Sequence, residues 1–175
     1  MDDEVKRLEE LVKQGDADAM NKMGYYYLHG QKGLSQDYEK AKELFEQSAN
    51  LGNTWAMSNL GYMYYFGQGV LQDYEKAKEL FEQSANLGNT YAMLILGNMY
   101  LDGEGVVQDP KKAKAWCKKV LKLMRYRNGN FSGYGFQGLI RRKRLWENQG
   151  VVYKKIKRFD VKNIEEYFEI LVNIN

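Results

Sequence analysis

Q-D-Y-E-K-A-K-E-L-F-E-Q-S-A-N-L-G-N-T runs from Gln36 to Thr54 and returns, without a change, from Gln72 to Thr90. The offset is 36 residues, a period at which self-similarity marks a solenoid whose units bury their apolar faces only against neighbours. The stretch reads as one helix with both ends marked. Asp37 and Asp73 offer a side-chain oxygen to the unpaired N–H groups of a first helical turn, and the third copy has Asp109 followed by Pro110, a cap with proline at the first helical position. Tyr38, Ala41, Leu44, Phe45, Ser48 and Ala49 recur at helical spacing and predict the buried face, with Glu39, Lys40, Lys42, Glu43 and Glu46 in water. Gly52 and Gly88 suit the left-handed residue that ends a helix, and Asn53 and Asn89 stand where the next one needs a cap.

That next helix repeats as A-M-x-x-L-G-x-M-Y at Ala56–Tyr64 and Ala92–Tyr100, with a looser copy from Ala19 to Tyr27. Glycine inside a helix costs about 0.5–1 kcal/mol relative to alanine, so its return at Gly24, Gly61 and Gly97 predicts a close approach by a partner helix. Met57, Leu60 and Tyr64 are the expected filling between layers. The following turn carries Gly67 and Gly69, then Gly103 and Gly105; in the first unit the pair is Gly30 and Gly33, one residue longer, which accounts for a 37-residue step there.

The pattern A-x-x-x-L-G-x-x-Y-x-x-G-x-G-V-x-x-D-x-x-K-A, filled from Ala56 through Gly67, Gly69 and Asp73 to Ala77, resembles the Sel-1-like repeat, a relative of the tetratricopeptide repeat. The resemblance covers about residues 16–123 in three units. It implies an all-α, right-handed solenoid of antiparallel helix pairs that serves as an adaptor, scaffold or regulator binding a protein or peptide partner, with no enzyme site and no cofactor. Small bacterial proteins of this kind act as regulators or immunity partners of other proteins, and that reading stays open beside the adaptor one. Secreted members with paired cysteines, linked to penicillin binding, are a poor guide, because this chain has a single cysteine.

The tetratricopeptide register implied by the resemblance puts the partner-binding groove on the first helix of each pair. In unit one its residues are Asp18, Asn21, Lys22, Tyr25, Leu28 and His29; in unit two Trp55, Ser58, Asn59, Tyr62, Tyr65 and Phe66; in unit three Tyr91, Leu94, Ile95, Asn98, Leu101 and Asp102. This wall is rich in Tyr and Trp, which supply large contact area at low entropic cost, so an extended peptide or a helix is the expected ligand, unless the rings thicken the core or the chain's own tail lies there.

Residues 1–15 read as a capping helix, with Val5, Leu8, Leu11 and Val12 as an apolar stripe ending at Gly15. The acidic start carries neither a basic region nor an apolar run, and no segment reaches the length of a membrane span; a cytoplasmic protein is the expectation. The repeats are expected to stop near Met124, because Met124 and Arg125 fall where a fourth set of Gly88 and Asn89 belongs. Composition changes there too: residues 1–124 hold 15 Lys+Arg against 18 Asp+Glu, and residues 125–175 hold 11 against 5.

The extension, 124–175, divides in two. Arg127 to Gly135 resembles half of a MORN-type hairpin in one partial copy, beside the plainer reading of a glycine-rich loop. A helix is predicted from Val161, with Asn163 and Glu166 as a capping box and Ile164, Tyr167, Phe168 and Leu171 on one face, which suits a cap on the last repeat. Arg141, Arg142, Lys143 and Arg144, with Lys154, Lys155, Lys157 and Arg158, are interleaved with Phe136, Trp146, Tyr153 and Phe159. Cations beside stackable rings make nucleic acid or another polyanion the alternative partner, against a solvated edge that balances the acidic solenoid.

Catalytic and metal chemistry has little to work with. One histidine, His29, and one cysteine, Cys117, do not build a His/Cys metal cluster or a histidine triad. Cys117 takes the place of Phe81 in the repeat and reads as a small buried hydrophobe, in keeping with a reducing compartment.

Overall fold

The computed structural model describes residues 2–126 as seven helices: α1 (Asp3–Lys13), α2 (Ala17–His29), α3 (Tyr38–Asn50), α4 (Thr54–Phe66), α5 (Tyr74–Asn86), α6 (Thr90–Asp102) and α7 (Pro110–Tyr126). Each begins where the sequence supplies a cap. Asp37, Asp73 and Asp109 accept from the backbone N–H of Lys40, Lys76 and Lys112, each at 3.0 Å, and Asn53 accepts from Ala56 at 2.9 Å. Gly30, Gly67 and Gly103 adopt the left-handed conformation that closes α2, α4 and α6. At the opposite edge Gly52, at φ +87°, turns the chain out of α3 while Asn53 N–H returns to the Ser48 carbonyl at 3.1 Å.

Helix α7 is 17 residues long where α3 and α5 have 13. The cause is local: methionine and arginine at 124 and 125 provide neither the left-handed glycine nor the cap that ended the earlier copies, so the helix runs on. The expected hairpin, the helix from Val161 and its capping role lie outside the described residues.

Three units follow, α2 with α3, α4 with α5 and α6 with α7, and α3 packs on α4 and α5 on α6 to stack them. Within a unit the second helix presses an aromatic ring onto the glycine of the first. A Cβ placed on Gly24 would stand 2.8 Å from the Phe45 ring, and one on Gly61 2.9 Å from the Phe81 ring. Both rings are fully buried, as are Ala41, Ala56, Ala77 and Ala92. In unit three Cys117 Sγ faces Gly97 with a looser 3.3 Å.

Polar side chains close the other end of this packing. Ser48 Oγ donates to the Ala17 carbonyl at 2.6 Å and Ser84 Oγ to the Thr54 carbonyl at 2.7 Å. Ser84 also shares a 2.8 Å hydrogen bond with Ser58. Thirty-six residues on, Leu94 and Val120 hold these two places and are buried in the core, so an apolar pair replaces a hydrogen-bonded one. Tyr64 and Leu60 are buried as expected, while Met57 is half-buried although its counterparts Met20 and Met93 are buried.

Units contact one another through the glycine loops. A Cβ on Gly69 would overlap the side chain of Tyr38 at the head of α3, and one on Gly105 would overlap Tyr74 at the head of α5. Helix α1 extends the stack at its start by burying Val5 and Leu8 against Ala19, Met23 and Tyr26 of α2.

The loop glycines allow the steric contact to be separated from the backbone requirement. Gly69→Ala combines a left-handed φ of +68° with the Tyr38 overlap and is expected to cost clearly more than about 1 kcal/mol. Gly52→Ala has φ +87° with nothing within 4 Å and should show the backbone cost alone, about 1 kcal/mol. Urea unfolding of the two variants measures the difference, and equal losses would mean that the loop does not contribute to stacking.

Candidate partner-binding face

The first helices α2, α4 and α6 carry all eighteen residues expected to line the groove. The structure leaves six of them exposed: Asp18, Lys22, His29, Trp55, Phe66 and Asp102. Seven are half-buried: Asn21, Tyr25, Asn59, Tyr62, Tyr91, Asn98 and Leu101. The remaining five are corrected, because Leu28, Ser58, Tyr65, Leu94 and Ile95 are buried and do not present an open surface. Ser58 is 0% exposed and spends its hydroxyl on Thr54 and Ser84. Tyr65 stands edge-on to Tyr74 and Phe81, with centroids 5.2 and 6.4 Å away. Leu28, Leu94 and Ile95 join the main core. The five fall at three positions of the repeat, and their counterparts Asn21, Lys22, Asn59 and Leu101 are half-buried or exposed, so the packing closes these positions unit by unit.

The exposed rings are held in pairs. Trp55 is 40% exposed and stacks on Tyr91 of the next unit, centroids 6.2 Å apart and planes within 29°. Phe66 is 44% exposed and tilts against Tyr62 at 4.4 Å, and Tyr25 lies 4.3 Å from His29. Polar contacts tie the same helices together: Asn59 Nδ2 donates to Asn21 Oδ1 at 2.9 Å, and Asn53 Nδ2 to Asp18 Oδ1 at 2.7 Å. Preorganised rings of this kind lose little freedom on binding.

Lys22 has a different employment from the one expected. Its ammonium donates to Glu4 of α1 at 2.5 Å, and Lys32 Nζ (2.8 Å) and Tyr26 OH (3.0 Å) reach the same carboxylate. Hydrogen bonds from Lys22, Lys32 and Tyr26 pull the Glu4 carboxyl down to about 2. The cluster staples α1 to α2 and to the loop in which Lys32 adopts φ +58°.

Other exposed apolar side chains were not foreseen. Leu51 and Leu87 protrude from the turns before α4 and α6, and Leu71 (91% exposed) and Val107 from the glycine loops. The signal was present, since each pair is 36 residues apart and follows a helix-ending glycine or precedes one by a single residue. On the second-helix side, Lys40, Lys76 and Lys112 sit over the rings of Tyr27, Tyr64 and Tyr100 at 5.3, 4.3 and 5.2 Å, a repeated cation–π contact. An open cavity of about 320 Å³ between α1, α2 and α3 is lined by Val12, Met23, Tyr27 and Leu44 among others, and by none of the eighteen groove residues.

Among the described residues no cluster of His, Cys, Asp or Glu is arranged to hold a metal ion, and no helix is long and apolar enough to cross a membrane. Cys117 is half-buried, and burial pushes its thiol up to about 12, which leaves it protonated at neutral pH and unreactive as a nucleophile. The eight basic residues from Arg141 to Arg158 lie outside the described residues.

The Sel1 repeat model matches this chain three times, at residues 17–53, 56–89 and 90–120, each match falling on one helix pair. The chain belongs to the Sel1 repeat family. A plant relative, the ERAD-associated E3 ubiquitin-protein ligase component HRD3A of Arabidopsis thaliana, is 35% identical over 68 residues, which is 39% of this chain and 10% of the relative. Among solved Sel1 structures, c5321, a protective antigen of uropathogenic Escherichia coli strains, is 31% identical with a TM-score of 0.63, over 67% of this chain and 25% of that one. A Sel1 repeat protein from Oxalobacter formigenes is 27% identical with a TM-score of 0.64, over 95% of this chain and 62% of that one. This chain therefore spans less than two thirds of each of these relatives. Sel1 repeats are helical scaffolds that bind proteins, and these matches place the chain among them.

The Glu4 staple gives the Sel1 stack a defined acid response. A carboxyl lowered in the folded state adds stability that is complete above its ordinary 4.5 and is lost as pH falls toward 2. Between those values the parent should lose melting temperature faster than Glu4→Gln, with the two curves converging near pH 2. Parallel curves across that window would show that the staple does not couple to folding.

Proposed function

We propose that this chain is an adaptor or regulatory module that holds an extended or helical segment of a partner protein against the face formed by α2, α4 and α6. One observation carries the reading: Trp55 and Phe66 remain 40% and 44% exposed on a face where the fold does not require rings. The other units show that it does not. Asp18 takes the place of Trp55 in unit one, although Tyr91 stands there in unit three, and His29 and Asp102 take the place of Phe66 in units one and three, on helices of the same length. Exposed aromatics that the architecture can replace with an aspartate are the composition of a binding hot spot.

Membership in a family of protein-binding scaffolds supports this reading, as does the role of the plant relative as a component of an E3 ubiquitin-protein ligase. A single cysteine supports a reducing compartment, and a cytoplasmic site of action is part of the proposal.

The test borrows the chain's own substitutions. The partner is first captured from the source cell with the full chain and identified by mass spectrometry, then titrated against Trp55→Asp and Phe66→Asp. Each change is expected to weaken binding by about 2 kcal/mol or more while leaving the melting temperature nearly unchanged. Parental affinity in both variants would place the partner elsewhere.

A further inference from the structure

The second helix of unit three keeps the interior of its counterparts and reverses their exterior. Ala113 repeats Ala41 and Ala77, and Lys112 and Lys114 repeat the lysines of both earlier copies. On the solvent side, however, Glu39 and Glu75 become Lys111, Glu46 and Glu82 become Lys118, Gln47 and Gln83 become Lys119, and Asn50 and Asn86 become Lys122. All four lysines are exposed. Since α3 and α5 form the same helix with acidic and neutral residues at these places, nothing in the fold asks for the exchange.

Its electrostatic consequence is direct. In α3, Lys42 pairs with Glu46 at 3.2 Å, and in α5, Lys78 pairs with Glu75 at 3.2 Å. Helix α7 contains no acidic residue, and among the described residues its capping Asp109 pairs with Lys112 alone, at 4.0 Å. Lys111, Lys114, Lys118 and Lys122 fall on one helical face, about 5–6 Å apart along an axis that rises about 1.5 Å per residue. The whole chain is polarised in the same sense: residues 1–109 hold 9 Lys+Arg against 18 Asp+Glu, and residues 110–175 hold 17 against 5.

We infer that the solvent face of α7 is a binding strip for the phosphate backbone of nucleic acid, distinct from the partner-binding face on α2, α4 and α6. A straight row of four point charges at regular spacing matches the regular linear array of phosphates, a repeat that the scattered carboxylates of a folded protein do not offer. A membrane surface is the poorer match, because among the residues of α7 whose burial is described the exposed ones are lysines, Pro110 and Ala115, while Ala113 and Val120 are buried. Beyond α7 the sequence continues with further basic residues, Arg141 to Arg144 and Lys154 to Arg158.

The test uses the full chain, a labelled oligothymidylate and fluorescence anisotropy over a salt series. The comparison variant carries Lys111→Glu, Lys118→Glu, Lys119→Gln and Lys122→Asn, the residues that α3 and α5 already have. Each lost phosphate contact removes about 0.7 from the slope of log affinity against log salt, so the slope is expected to fall by about 2–3 and the affinity at about 50 mM salt at least roughly tenfold. The helical circular dichroism should be unchanged. If the fourfold variant does not fold, Lys118→Gln with Lys122→Gln supplies the same comparison with half the slope change. An unaltered slope overturns the assignment, as does absence of oligothymidylate binding when polyglutamate or phosphatidylserine vesicles are bound instead.

Discussion

The ring of Phe81 lies 2.9 Å from where any side chain at position 61 would place its first carbon, and this contact sets how closely the two helices of a unit approach. Phe45 on Gly24 repeats it in unit one. A glycine weakens its own helix, and the loss is offset by a fully buried aromatic ring resting on bare backbone. Ala41 and Ala56, and Ala77 and Ala92, are small side chains that are likewise fully buried. Unit three, with sulfur in place of the ring and a looser fit, relies instead on the apolar pair Leu94 and Val120 where unit two has Ser58 and Ser84.

Because the units are internal copies, the chain carries its own controls for what the architecture needs. Positions that stay constant, such as the capping aspartates, the helix glycines and the lysines over tyrosines, have contacts in every unit that explain them. Positions that change character without changing the helix are free for other work. Trp55 against Asp18 is one such change on the first-helix side, and Lys111 and Lys118 against the glutamates of α3 and α5 are others on the second-helix side. The two proposed surfaces lie on different helices, so a protein and a polyanion would not compete for them.

Helix limits, caps and the glycine sockets were legible in the sequence because each rests on local chemistry: an aspartate before a helix, a glycine after it, a small residue opposite a large one. The groove was legible only in part. Periodicity distinguishes an inward from an outward face, but Ser58 and Tyr65 lie on the border between them, and the hydrogen bond to Ser84 and the edge contact with Phe81 that decide their burial come from another helix. Lys22 is exposed, and its ion pair was not legible for the same reason: Glu4 is 18 residues away on α1. The extra turn of α7 follows from residues 124 and 125, whose unsuitability as caps could be read, although not how far the helix would continue without them.

A double-mutant cycle on Gly61→Ala and Phe81→Leu tests the ring-on-backbone contact most directly. If the ring occupies the space that the alanine methyl needs, the smaller leucine relieves the clash, and the pair should be at least about 1 kcal/mol more stable than the sum of the single losses. Additivity within about 0.3–0.5 kcal/mol would contradict the account, because the two residues would then not share the contact that sets how closely the helices of a unit approach.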